Sequence, residues 1–394
     1  MFRLRHSIGV LAALLAFGCS NEDPPDTATD TDTDVQEAVD ADDQTDAASD
    51  DGDAFDTASG DPDTTEDSGG DDTADPPSTL SEAYPGDEGI AEDPAVLFHD
   101  DFEQGWGRWD RPDSDGDYLT MQQDASVAHA GEGYLRSTVT TQDLEEQQYI
   151  SSSSSVSFER VDTVYWRFYA RFPNVAPNPH HWVRVSAGNE SWNSSGLANT
   201  VPGGDEGFWF DLDINNDNIF NFYVYWHDMR SGRCNDGSTE PGCEGDQGTT
   251  YHYGNVFRPA DQEPYPRDEW VCIEMRARAN TPGQYNGELA YWIDDELVGD
   301  FRPGYPEGTW LRDQFHPGGC DWSACTAPEP FEGFNFRTSD DVGFKRVVLD
   351  AYYERGSAQR KRNKLRERGL DVSDEQTIYY DDVVVATERI GCRR

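Results

Sequence analysis

Between residues 165 and 227 the chain sets arginine, tyrosine, tryptophan, histidine and aspartate at alternate positions. Arg167 and Tyr169 fall in VYWRFYARF, and His180, Trp182 and Arg184 in HHWVRV. Trp209, Asp211 and Asp213 follow in FWFDLDIN, then Tyr223, Tyr225 and His227 in NFYVYWH. Two later runs add Glu274 and Arg276 in WVCIEMRARA and Trp292 in AYWID. Aromatic rings stack on the faces of sugars, while guanidinium, imidazole and carboxylate groups bond hydroxyls and bind carboxylates. A solvated strand face would more often carry Thr, Lys and Glu. These residue types therefore point to a groove for a polar, ring-shaped ligand. By the same alternation His181 falls on the core side and reads as a structural histidine.

The elements that must position these side chains are strands. In VYWRFYARF, Trp166, Phe168 and Phe172 share one face, and the same period of two repeats in each of the other runs. Val183 and Val185, Phe208, Phe210 and Leu212, Phe220, Phe222 and Val224, and Ile273 and Met275 all fall on an inner face. Ten or more short strands with turns between them predict an all-β fold, a two-sheet antiparallel β-sandwich of jelly-roll type. The polar faces of five strands are expected on one concave sheet. DLDINNDNIFNFYVYWH reads as one β-hairpin around an Asn/Asp turn and lacks the Gly and terminal Glu of a calcium-binding EF-hand loop. Residues 228–269, rich in Gly, Asp, Pro and Cys, form a long insertion expected to wall the groove. ERGSAQRKRNKLRERG, from Glu354 to Gly369, is a basic helical excursion, either a solvated helix or a grip for an anionic glycan.

Composition divides the chain into three parts. MFRLRHSIGVLAALLAFGC has the basic start and short apolar run of an export signal, too short for a permanent membrane span. Its end is similar to a lipoprotein processing site, so Cys19 is the expected lipidation point, with the chain held by its acyl group at the bacterial outer membrane or cell surface. Residues 20–94 carry 27 Asp plus Glu and no Lys or Arg. Such a segment buries too little apolar surface to fold and is expected to be an extended, disordered linker. Residues 95–394 are then the carbohydrate-active domain. With a net charge of −48 over 394 residues, the protein lacks the basic field that nucleic-acid binding needs. A monomer is the expected state. The cysteines beyond Cys19 suit an exported protein, and the expected disulfides are Cys234–Cys243, Cys320–Cys325 and Cys272–Cys392.

VLFHDDFEQGWGRW, HAGEGYLRS, EWVCIEMRARANTPGQYNGELAYWIDDELV and IYYDDVVVATERIG together resemble the concanavalin A-like jelly rolls of the polysaccharide lyase and glucanase superfamily. Alginate- and glucuronan-lyase-like proteins are the most similar members. The resemblance covers most of residues 96–392 and implies a protein that binds or cleaves an acidic, uronate-containing glycan; a non-catalytic carbohydrate-binding or adhesive lipoprotein is the alternative. Cleavage by β-elimination needs a cation to neutralise the uronate, a base for its C5 proton and an acid for the leaving oxygen. Arg167 and Arg184 suit the first, His180 or His227 the second, Tyr223 or Tyr225 the third. Tyr169, Trp182, Trp209, Asp211, Glu274, Arg276 and Trp292 would line the groove. Hydrolysis would need a carboxylate pair, for which only Asp211, Asp213 and Glu274 are at hand. The resemblance also implies structural calcium where the first and last strands meet, with Asp101, Glu103 and Asp381 as ligands, Asp100 or Asp382 as substitutes, and the region of the Gly131 carbonyl as helper.

Overall fold

A computed structural model describes residues 79–394, apart from 111–117, 193–196, 216, 235–236, 238–250, 321–322 and 324. Cys19, Cys243 and most of the acidic linker lie outside the described residues. Two large β-sheets face each other. The first runs in the order Glu296–Phe301, Glu288–Ile293, Trp270–Arg278, Thr163–Arg171, Glu375–Ala386, Gly133–Thr140 and Leu119–Gln123, with Val96–Asp100 also paired to Glu375–Ala386. The second runs in the order Glu329–Pro330, Glu307–Leu311, Gln314–Pro317, Asn255–Phe257, Phe220–Tyr225, Gly207–Ile214, Arg184–Gly188, Gly343–Leu349 and Ser154–Val161. Pairing is antiparallel except between Asn255–Phe257 and Gln314–Pro317, which run parallel. This is the expected all-β sandwich, with one parallel exception.

The inner faces are those the alternation predicts. Trp166, Phe168, Phe208, Phe210, Leu212, Phe220, Phe222, Val224 and Ile273 are fully buried. Rings interlock across the gap between sheets: Phe222 meets Tyr291 edge-on at 5.3 Å and Phe301 at 6.2 Å, and Phe168 meets Trp182 at 5.6 Å. Each such side chain contributes about 1.5–3 kcal/mol by leaving water, and the ring geometry adds to it. The hairpin forms as predicted, with Ile214 opposite Phe220. Asn215 makes its turn by accepting the amides of Asp217 and Ile219 at 2.8 and 3.1 Å. The helix Arg355–Glu367 is also present, capped by the Glu354 carboxylate.

Two boundaries differ from the sequence reading. The folded part begins before residue 95: Thr79 to Asp93 make a short helix and two 3-10 turns, with Leu80 and Ile90 buried against Val384, Ala386 and Ile390. The acidic composition conceals this stretch because its few apolar residues are spaced widely, yet each finds a partner on the first sheet. The run RVVLDAYY divides into Gly343–Leu349 and Tyr352–Glu354, and the latter pairs with Tyr149–Ser151 in a small separate sheet. The disulfides Cys272–Cys392 and Cys320–Cys325 are present, and Cys234 is disulfide-bonded.

Candidate active site

The polar faces do not share one sheet. Arg167, Tyr169, Glu274, Arg276 and Trp292 belong to the first sheet, while Arg184, Trp209, Asp211, Tyr223 and Tyr225 belong to the second. Both sets point outward, on opposite sides of the sandwich. Strand alternation gives the side of a residue within its own strand but not the sheet that the strand joins.

On the first sheet the outward residues hold the ends of the folded chain. Arg167 is fully buried and donates through Nη2 to Asp87 at 2.6 Å, in the segment before the first strand. Glu274 accepts the amides of Ile390 and Gly391 at 2.7 and 3.0 Å. The Tyr169 hydroxyl accepts the Arg393 amide at 2.8 Å, and its ring stacks on His129 at 3.6 Å. Arg276 pairs with Glu288 and Asp300, and Trp292 lies under the Arg389 guanidinium. These five are therefore not groove residues, and Arg167 is not available to a substrate carboxylate.

The second sheet carries the groove face. Register sets Arg184, Asp211 and Tyr223 in one row across three strands, with Trp209 and Tyr225 in the next. Arg184 binds Asp211 through two parallel bonds, Nε to Oδ1 at 2.6 Å and Nη2 to Oδ2 at 2.9 Å. Its guanidinium lies 3.9 Å over the Trp209 ring, which stacks on Tyr225 at 4.4 Å. Trp209 is buried, and its Nε1 finds no acceptor among the described residues. The Tyr223 and Tyr225 rings meet edge-on at 5.6 Å. Gly254 passes against the Tyr223 ring with φ +78°, and a Cβ there would lie 2.6 Å from its Cζ. Gly254, within the long insertion, thus borders Tyr223.

His181 is the residue that sequence reasoning set aside. Its ring lies 4.7 Å from Tyr223, and its Nδ1 sits 3.0 Å from Asp213 Oδ2. The alternation misplaced it because the strand begins only at Arg184, so parity cannot be carried back through Val183 and Trp182, both buried. Trp182, expected in the groove, lies in the core and donates its Nε1–H to the Tyr380 hydroxyl at 2.8 Å. The Trp182 amide donates to Asp213 Oδ1 at 2.8 Å, fixing that carboxylate. A local signal did exist: His181 stands two residues before a buried Val, beside a second histidine. His180 is packed against His181 at 4.3 Å, and His227 stands apart beside Gly204 and Thr338.

Electrostatics follow from crowding ionisable groups at a half-buried surface. Burial pushes Asp211 up to about 6, with Arg184 pulling the other way. Asp213 also rises to about 6 through burial, opposed by the Trp182 amide. Neighbouring Asp350 rises to about 7, again chiefly through burial. Burial lowers His181 to about 4 against the opposing charge of Asp211, and lowers His180 to about 3, helped by His181 and Lys361. Tyr225 is raised to about 12 and Tyr223 well above its ordinary value, both by burial first. At neutral pH the face therefore holds a cationic Arg184, a neutral His181 and two protonated tyrosines.

Among the described residues, His181, Asp211 and Asp213 hold ligand atoms within 4.8 Å of one another. Arg184 already supplies the positive charge at Asp211, so this is a hydrogen-bonded network in which a cation would be redundant. The carboxylates expected to hold calcium are oriented by backbone amides: Asp381 accepts those of His129 and Asp382, Glu103 those of Glu132 and Gly133, and Asp101 that of Glu103. Each keeps further lone pairs, the hard oxygen donors that calcium takes. The hydrolytic trio is also divided, since Glu274 is on the other sheet and Asp211 is tied to Arg184.

No family model and no curated protein matches the chain. Among solved structures it is similar to an endo-beta-1,4-glucuronan lyase from the fungus Trichoderma reesei, at 14% identity and a TM-score of 0.40, covering 74% of this chain and 95% of that one. Alginate lyase vAL-1 from Chlorella virus gives 13% identity and a TM-score of 0.41, covering 74% and 99%. The cellulose-induced protein Cip1 gives 14% and 0.37, covering 75% and 99%. Scores this low transfer no residue role.

Proposed function

We propose that the protein binds an acidic, uronate-containing polysaccharide across the outer face of the second sheet and cleaves it by β-elimination. The observation that carries this reading is the cluster of a guanidinium and a protonated tyrosine in one cross-strand row with a neutral histidine beside them, oriented by a carboxylate. Arg184 has its Nη1 turned away from the bonds to Asp211 and would take the uronate carboxylate, which acidifies the C5 proton. His181, with Nδ1–H donated to Asp213, would take that proton at Nε2. The electron pair forms the C4–C5 double bond and expels the glycosidic oxygen, which Tyr223 protonates. Trp209 and Tyr225 would support the neighbouring sugars.

A binding-only protein is the second reading. The bidentate Arg184–Asp211 pair favours it, because an arginine so fully engaged also makes a static carbohydrate contact. Incubation of the protein with alginate, glucuronan and pectate, followed at the ultraviolet absorbance of unsaturated products, separates the two. Absorbance should rise on at least one uronate and be lost, by at least a hundredfold in rate, in Arg184→Lys and in Tyr223→Phe. Binding without any absorbance gain on all three substrates would leave only the second reading.

A further inference from the structure

We infer that the basic helix Arg355–Glu367 is a second contact surface for the same anionic glycan, extending the groove beyond the Arg184–His181 cluster. The inference rests on the proposed function and adds to it where the polymer runs.

Three contacts tie this helix to the His181 corner. Its N-terminal end continues from Tyr352–Glu354, where Tyr352 accepts the His180 amide at 2.7 Å and its ring stacks 5.9 Å from His181. Midway, Lys361 Nζ donates to the carbonyls of Pro179 and Asn178 at 2.7 and 3.4 Å. At its end, Arg368 pairs at 3.0 Å with Asp217, in the turn of the hairpin that carries Asp211, Asp213 and Tyr223. The helix therefore lies along one border of the groove. Lys361 is close enough for its charge to help keep His180 and His181 unprotonated.

The charge of this element runs against that of the molecule. Seven Lys and Arg fall between residues 355 and 368 in a chain with 30 Lys plus Arg against 78 Asp plus Glu. Arg362 is buried and bonds the Ser373 carbonyl, so it is structural. Arg360, Lys364 and Arg368 are exposed and recur every fourth residue, one row of cations at about 6 Å intervals. A linear polyuronate carries its carboxylates at regular intervals and is complementary in charge to this row. The carboxylates of the polymer, rather than its hydroxyls, are thus the groups recognised here.

Binding of polymannuronate and polyglucuronate to the full chain tests the inference, with the carboxyl-reduced, neutral polymers as controls. In the variant Arg360→Gln/Lys364→Gln/Arg368→Gln the dissociation constant for the long anionic polymer should rise about tenfold, and its dependence on salt should flatten. Affinity for a trisaccharide should change less than twofold, because so short a chain occupies only the row around Arg184. An unaltered melting temperature excludes misfolding of the variant. Unchanged polymer affinity in the triple variant, together with weakened binding in Arg184→Lys, overturns the helix surface and leaves the groove standing. Failure of the wild-type chain to bind any uronate overturns both.

Discussion

The behaviour of the site turns on His181. An imidazole whose Nδ1–H is held by Asp213 leaves Nε2 as its basic nitrogen, with the ring 4.7 Å from that of Tyr223, and burial holds its pKa at about 4. Protonation of His181 would end its service as a base. Cleavage should therefore remain level as pH falls from 8 to about 6, decline as Asp213 protonates near 6, and be lost toward 4. His181→Ala should reduce kcat about 10²- to 10⁴-fold at pH 7. A pH–rate profile measured on the cleaved glycan checks both, and an acid limb unchanged in Asp213→Asn would remove Asp213 from the mechanism. The same shift bears on stability. His181 titrates lower folded than unfolded, so its contribution is present above the unfolded value near 6.5 and fades as pH falls toward 4.

Elements, more than residues, decide which polar face is a site. The outward faces of the two sheets both carry Arg, Tyr and Trp, yet one is covered by the chain's own ends while the other leaves His181, Arg184 and Tyr223 partly exposed. The seal is the segment Thr79–Asp93 with the C-terminal residues, held by Arg167–Asp87, by Glu274 under the Ile390 and Gly391 amides, and by the Cys272–Cys392 disulfide. Arg167 Nε and Nη1 have no other partner among the described residues. Removing its carboxylate strands a buried cation, which costs about 3–5 kcal/mol. Asp87→Ala should show this loss in urea unfolding, and Asp87→Leu with Arg167→Met should recover most of it. A loss below about 1 kcal/mol in Asp87→Ala would mean that the segment is only loosely docked.

At the scale of the whole molecule, we propose that an acyl group on Cys19 and the acidic linker tether the folded domain at a membrane surface. The acyl-anchored reading predicts that Cys19→Ala shifts the protein from the membrane fraction to the soluble one without altering cleavage of a uronate. Retention of the variant in the membrane fraction, measured by fractionation after expression, would overturn the anchor. The linker also shows how far composition reaches. Its Asp and Thr content argues against a hydrophobic core, yet Leu80, Ile90 and Asp87 at its end are part of the fold. Three well-placed residues decide docking, and an average over 75 residues cannot register them.

The sequence by itself determined the inner face of almost every strand, the hairpin at Asn215, the basic helix and the Cys320–Cys325 disulfide. These are local properties: the pleat repeats every two residues, a turn needs Asn at a given place, and a loop with two nearby cysteines closes on itself. Only the tertiary structure decided which strands share a sheet, and with it the separation of Arg167 from Arg184. It also decided that His181 faces the groove and Trp182 the core, since the strand starts only at Arg184, too late for parity to reach them. Pairing between distant strands, and the covering of a face by a segment about 80 residues away in sequence, depend on contacts that no short stretch encodes. The aromatic, cationic face of Thr163–Arg171 has the composition of a ligand site, and the chain fills it with its own ends.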